Sequence, residues 1–202
     1  LINDSSQMSS ESVERFRFVR NQTQEVVYLL DNITKAFYTD ATHEYHLEVS
    51  NLKDLIEESL ERITVSMNLG PVRIVNKFNF DAYVNVDEHN IKNALYHIVR
   101  NSLDNISNVG VIQIDGEIVG DMVFIYIDDD GVGIAPEHLP HIFDRFYKVN
   151  SNNEERFGLG LPITKNIIEN HFGTINIQST PHYGTRVMIS LPLLTSEVDV
   201  YD

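Results

Sequence analysis

The stretch MVFIYIDDDGVGIAP, Met122–Pro136, decides how this chain is read. Its apolar opening is rich in aromatic and β-branched residues and is bounded by turn formers, so it reads as a buried strand. Where that strand should end, the sequence packs together three carboxylates and two glycines. A glycine-rich loop is the usual cradle for an anion, yet Asp128, Asp129 and Asp130 would repel one. The loop suits a hydrogen-bond donor instead. A carboxylate held rigidly at a strand end only accepts hydrogen bonds, and the amino group of a purine donates them; Gly131 and Gly133 allow close approach to a flat ring. On this reading Asp129 meets a base, and phosphates are held elsewhere. A plain Asp-Gly turn, or a metal site made of the three aspartates, fits the same residues.

The whole chain sharpens the question of where phosphates could bind. Its 202 residues carry 15 Lys and Arg against 30 Asp and Glu, a net charge of -15. Such a charge repels a polyanion, which excludes nucleic acid as a partner class; a small anion needs cations gathered locally. With no cysteine, disulfides and thiolate metal sites are excluded. No apolar run approaches the roughly 18 residues of a spanning helix, and no leader pattern opens the chain, so a soluble, cytoplasmic location is expected. The first residue is not Met, which suggests a piece of a longer protein.

Along the chain, Phe16, Val19, Thr23, Val26, Leu30, Ile33 and Phe37 recur at alternating steps of three and four. This is a heptad seam, and the polar residues around it favour a long coiled-coil-like helix that oligomerises over a core helix of a globular domain. YTDATHEY, Tyr38–Tyr45, breaks the pattern and sets the boundary of a second unit. There HLEV reads as a strand and SNLKDLIEESLERI as a helix capped by Ser50. VRIVNKF and DAYVNVD read as strands, DEHNIKNALYHIVRNSLDNI as a helix capped by Asp87, and the two segments around Gly120-Asp121 as an antiparallel pair. A short helix over PEHLPHIFDRF, a helix from about Leu161 to His171, and the strands TINIQST and TRVMISLPL complete the order. Strands and helices do not alternate strictly, so the expected fold class is α+β: a two-layer α/β sandwich with helices on one face of a mixed sheet.

Other residues can carry chemistry. On the helix after Asp87, the polar residues His97, Asn101, Asp104 and Asn108 form a stripe. It is either a solvated face or a functional one, and Asn101 offers a hard carboxamide oxygen suited to Mg2+. In FGLGL, Gly158 and Gly160 open a helix with Pro162 in its first turn, where free N–H groups at a positive helix end attract anions. Arg145, Lys148 and Arg156 supply cations beside it, on a polar stretch that reads as a mobile lid or as an ordinary surface loop. The pairs His43/His46 and His138/His141 lack a third ligand and read as surface histidines.

Taken in order, HIVRNSLDN, DDDGVGI, IFDRFYK, FGLGLPITKNIIENHFGTI and YGTRVMISLPL resemble the N, G1, F, G2 and G3-like boxes of the GHKL ATP-binding fold. The resemblance is to the catalytic and ATP-binding domain of two-component sensor histidine kinases. It implies ATP and Mg2+ as cofactors, with Asn101 binding the metal and Asp129 recognising adenine. It further implies that Gly131 and Gly133 line the base, that Phe143 and Phe146 anchor the lid, and that Gly158, Leu159, Gly160 and Leu161 adjoin the phosphates, met by Arg145 and Lys148. Thr185 takes the place of the polar residue near adenine. His97 stands where chaperone and topoisomerase members keep a water-activating glutamate, and a neutral imidazole there could act as a base. Asp104 and Asn105 replace a basic residue and an aromatic one near the nucleotide.

The same resemblance divides the chain into a partial dimerisation and phosphotransfer helix (1–42), the ATP-binding catalytic domain (43–195) and a loose acidic tail (196–202). It implies a homodimer through the N-terminal helix of the full-length protein, itself the cytoplasmic part of a membrane-associated sensor. The γ-phosphoryl would pass from ATP to a phosphoacceptor histidine of the same or a partner subunit, outside this stretch, and onward to the aspartate of a response-regulator receiver domain. His43 lacks the surrounding motif of an acceptor. A nucleotide-binding signalling module without kinase activity, or another GHKL ATPase, is the alternative.

Overall fold

In the computed structural model, Arg15 and residues 45–67, 69–107, 109–149 and 158–194 are described. The heptad segment, His43, Asn108, Arg156, Phe157 and the acidic tail lie outside the described residues. From Tyr45 onward the described chain belongs to one unit. Its elements run β1 (Glu48–Asn51), α1 (Leu52–Ser66), β2 (Val72–Asn76), β3 (Tyr83–Val86), α2 (Glu88–Asn105), β4 (Gly110–Val119), β5 (Met122–Asp129), α3 (Gly160–Asn170), β6 (Thr174–Thr180) and β7 (Gly184–Pro192).

The helices start where short polar side chains can satisfy open N–H groups. Asp87 caps α2 by accepting the Asn90 N–H at 3.0 Å, as expected. At α1 the expectation shifts by one residue: β1 continues through Asn51, whose side chain accepts the Lys53 N–H at 3.1 Å, while Ser50 is buried in the strand. The expected helix over PEHLPHIFDRF is not formed. Only a single 3-10 turn, Leu139–His141, stands there: Pro140 has no N–H to give, and Phe146 adopts a φ of 67°, outside helical space.

Five strands form a mixed sheet in the order β2-β4-β5-β7-β6, with β2 parallel to β4 and every other pair antiparallel. β1 and β3 pair separately as an antiparallel ribbon. The consecutive strands β2 and β3 therefore join different sheets. Ile112, Ile114, Val123, Ile125, Ile127, Val187, Ile189 and Leu191 are buried in the sheet, and the buried residues of α1, α2 and α3 join them in one core. Each such side chain contributes about 1.5–3 kcal/mol by leaving water. The other face is polar: the Arg186 guanidinium donates to both carboxylate oxygens of Asp128 at 2.6 and 3.0 Å, and the Tyr126 hydroxyl donates to Glu117 at 2.6 Å.

That alternation decides what the three aspartates do. Val123, Ile125 and Ile127 point inward, so two residues on Asp129 points inward too and Asp128 points out. Asp130 turns back, and its carboxylate accepts the Val111 N–H at 2.9 Å. The three carboxylates do not converge, which removes the three-aspartate metal site.

Candidate functional site

Asp129 ends β5 with its side chain only 9% exposed. Its carboxylate accepts the Gly131 N–H at 3.0 Å, and the Ser102 hydroxyl and the Thr185 N–H face it and favour its charged form. Burial pushes the carboxyl above its ordinary value and Asp130 adds to this, while the three donors work in the opposite direction. A carboxylate has roughly four acceptor positions, which leaves room for an outside donor.

The neighbouring glycines answer to the protein's own backbone. A Cβ on Gly131 would lie 2.7 Å from the Asn105 carbonyl oxygen, which also accepts the Val132 N–H at 2.9 Å. Gly133, at a φ of 69°, presses on the Thr180 carbonyl, and Gly184, at 92°, presses on that of Asp129. The loop is thus tied to the end of α2 and to the β6–β7 turn, where the His182 N–H donates to the Val132 carbonyl at 2.7 Å. Close approach of protein backbone requires these glycines whether or not a flat ring also lies there.

His97, Asn101 and Asn105 follow one another at steps of four along α2 and share a face. At one end of that face, His97 Nδ1 lies 3.4 Å from where a Cβ on Gly160 would stand. Burial, with Arg100 as the second cause, lowers the His97 imidazole to about 4, so it is neutral at physiological pH. At the other end Asn105 holds the acidic loop by its carbonyl and turns its amide back to donate to the Asn101 carbonyl at 2.7 Å. Between them the Asn101 carboxamide makes no hydrogen bond among the described residues, leaving its oxygen available to a cation. Asp104 is exposed.

α3 begins without a side-chain cap, and Pro162 has no N–H. Among the described residues the N–H groups of Gly160 and Leu161 have no hydrogen-bond partner. Leu159 is buried and Leu161 packs at the margin of the core, so this end is held firmly while its N–H groups stay open. The Phe146 N–H donates to the Gly158 carbonyl at 3.0 Å and closes the base of the expected lid. Phe143 packs against the core beneath the Lys165 ammonium, 5.4 Å from its ring centre, whereas Phe146 is 62% exposed. Of the two rings, Phe143 is thus packed and Phe146 is not. Arg145 is exposed and Lys148 half-buried in the same segment. His138 Nδ1 pairs with the Tyr147 hydroxyl at 2.7 Å and His141 Nδ1 with Asp144 at 2.9 Å, so the two imidazoles have separate partners.

Two residues escaped sequence reading. Ser102 reads as a core position of α2, but its hydroxyl serves Asp129; a serine among Ile91, Ala94, Leu95 and Ile98 was the available signal. Ser179 sits within β6 with its hydroxyl 2.9 Å from that of Thr185. No helix among the described residues is long and apolar enough to cross a membrane.

Residues 86–195 match the family described as histidine kinase-, DNA gyrase B-, and HSP90-like ATPase. The chain is 28% identical over 195 residues to sporulation kinase B of Bacillus subtilis (strain 168), covering 95% of this chain and 44% of that protein. It thus spans less than half the length of this relative. Among solved structures, the catalytic domain of the histidine kinase ThkA superposes with a TM-score of 0.61 at 25% identity, covering 73% of this chain and 95% of that one. Full-length ShkA in complex with AMPPNP gives a TM-score of 0.73 at 17% identity, over 95% of this chain and 41% of that one, a likeness of fold.

Proposed function

Because the chain belongs to the histidine kinase-, DNA gyrase B- and HSP90-like ATPase family, we propose that it is the ATP-binding catalytic part of a two-component sensor histidine kinase. It transfers the γ-phosphoryl of ATP to a phosphoacceptor histidine of the same or a partner subunit, outside these 202 residues, and the phosphoryl passes on to an aspartate of a response-regulator receiver domain. The observation that carries this reading is that one helix face joins both halves of a nucleotide site: Asn105 holds the acidic loop at one end, and His97 abuts the open N-terminus of α3 at the other.

An acceptor position on Asp129 takes the amino group of adenine, and the end of α3 faces the phosphates with N–H groups that have no partner among the described residues and with the positive end of its dipole. Lys148, on the segment whose base the Phe146–Gly158 bond closes, and Arg145, just before that bond, bring positive charge to the phosphates when the segment folds over them. Asn101 supplies an oxygen that fits Mg2+, which when bound neutralises phosphate charge. With both ends of the nucleotide fixed, the chain contributes chiefly by aligning the terminal phosphoryl with its acceptor and excluding water. His97 stays neutral beneath Gly160 and so adds no charge of its own there. Asp104 and Asn105 put no cation or aromatic ring beside the nucleotide, which favours modest affinity. We further propose a homodimer in the full-length protein, formed through the N-terminal heptad segment.

The test is calorimetric titration of Mg-ADP into the chain and into Asp129→Asn, in which an amide N–H meets the base amino group in one rotamer. Heat of binding for the parent and a loss of about 100-fold or more in the variant are expected. A folded parent that gives no heat sinks the reading. Transfer of labelled phosphate from ATP to a longer chain bearing the acceptor histidine then tests the kinase reaction itself.

A further inference from the structure

Ser179 makes three contacts to three different segments, more than an ordinary strand serine requires. Its hydroxyl accepts the Ile134 N–H at 2.8 Å from the acidic loop, donates to the Gly184 carbonyl at 2.8 Å at the start of β7, and faces the Thr185 hydroxyl at 2.9 Å. A serine hydroxyl has one proton and two lone pairs. With the proton given to Gly184 and one lone pair taken by Ile134, the remaining lone pair accepts the Thr185 proton. Thr185 Oγ1 is then left with acceptor character only. Thr185 is also the register partner of Asp129 across β5 and β7, so the two side chains share a face of the sheet.

We infer that Ser179 is a positioning residue that fixes Thr185 as a hydrogen-bond acceptor beside Asp129, giving the base site two adjacent acceptors and so a preference for adenine over guanine. This rests on the nucleotide reading above. The adenine amino group has two N–H bonds to offer such a wall. Guanine presents a carbonyl at the same ring position, and a carbonyl facing two acceptors is repelled and loses its hydrogen bonds to water. Ser179 also braces the loop mechanically, because Ile134 and Gly184 lie on either side of the Gly133 crossing. A brace alone would weaken every nucleotide alike. Orientation of Thr185 makes a different mark, on the ratio of affinities.

The experiment is competition of Mg-ADP and Mg-GDP against a fluorescent ADP analogue for the parent, Ser179→Ala, Ser179→Thr and Thr185→Val. In Ser179→Ala the Thr185 proton is released to the ligand side, and the ADP-to-GDP affinity ratio is expected to fall roughly tenfold. Ser179→Thr, which keeps the hydroxyl on a strand-favouring residue, is expected to keep the parental ratio. In a Thr185→Val background, Ser179→Ala is expected to change the ratio no further. Should Ser179→Ala unfold, Ser179→Cys, close in shape but weak as donor and acceptor, gives the same readout. A parent that binds ADP with a ratio unmoved by these substitutions, or moved equally without the Thr185 hydroxyl, overturns the inference alone. A parent that binds neither nucleotide overturns it together with the nucleotide reading.

Discussion

Gly133, in the loop tied to the end of α2, and Gly160, beside His97 of α2, are glycines for different reasons. At Gly133 a positive φ and the Thr180 carbonyl leave no place for a side chain. Gly160 has ordinary helical backbone, and a Cβ there would meet only the edge of the His97 ring at 3.4 Å. The acidic loop is thus finished by the protein itself, with hydrogen bonds to Asn105, Ser179 and His182. The start of α3 is left unfinished: among the described residues its first N–H groups have no partner and no side chain caps it. A site that reads a base needs rigid, pre-satisfied acceptors, because discrimination depends on which lone pairs remain. A site that holds phosphates needs donors without partners. On the proposed reading, glycine serves geometry in the first case and access in the second.

The largest effect expected from this contrast is on Gly133→Ala. The new methyl overlaps the Thr180 backbone in a conformation that already disfavours it, so stability should fall by at least about 3 kcal/mol in urea denaturation. A stable, folded Gly133→Ala protein would break the contrast at its first term.

Next comes the acid response of His97. The unfolded chain takes up this proton near the ordinary 6.5, and the folded chain only near about 4. The unfolded state therefore binds more protons between these values, and stability is full above the window and falls as pH drops through it, by up to about 3 kcal/mol. Asp129, whose value is raised, acts in the opposite sense, and Asp87, whose value is lowered, acts in the same sense as His97. The clean measurement is the difference between the parent and His97→Gln in urea midpoints from pH 7 to pH 4; equal slopes would show that the ring is not held neutral.

Gly160→Ala should leave stability within about 1 kcal/mol, since alanine favours helix and the His97 contact is only slightly tight. Its expected effect is selective: Mg-ATP binds more weakly, while adenosine, which has no phosphates, binds as before. An equal loss for both would move Gly160 from the phosphate end to the general fold. Smallest of all is Asp128→Ala. This residue adjoins Asp129 in sequence but faces away and pairs with the half-exposed Arg186, so its removal should cost no more than about 1 kcal/mol and leave nucleotide affinity intact. A marked loss of ADP binding in this variant would mean that the inward-outward alternation does not separate the two carboxylates.

Much of this was legible in the sequence where a local rule is strong. The apolar run before Asp128, the turn at Gly120-Asp121 and the Asp87 cap each depend on residues within a few positions, and all are found as read. The order of acid, glycines and second glycine pair also marked the residues on which the proposed nucleotide site rests. Local rules misled where two of them competed: PEHLPHIFDRF has helical periodicity, but Pro140 and the Phe146 backbone limit it to one turn. Ser50 and Asn51 are both good caps, and the length of β1 chose between them.

By itself the sequence determined most of the strands and helices, the side chains able to accept or donate, and the family to which they belong. The tertiary structure alone decided that β2 lies parallel beside β4 and apart from β3, that Asp129 turns inward while its neighbours turn away, and that Ser102 lies near Asp129 and Ser179 touches Ile134, Gly184 and Thr185. The physical reason is range. Propensity, capping and turn chemistry act between residues a few positions apart, whereas a hydroxyl finds its partner through sheet register and helix packing, which join residues as distant as Ser102 and Asp129 or Ile134 and Ser179.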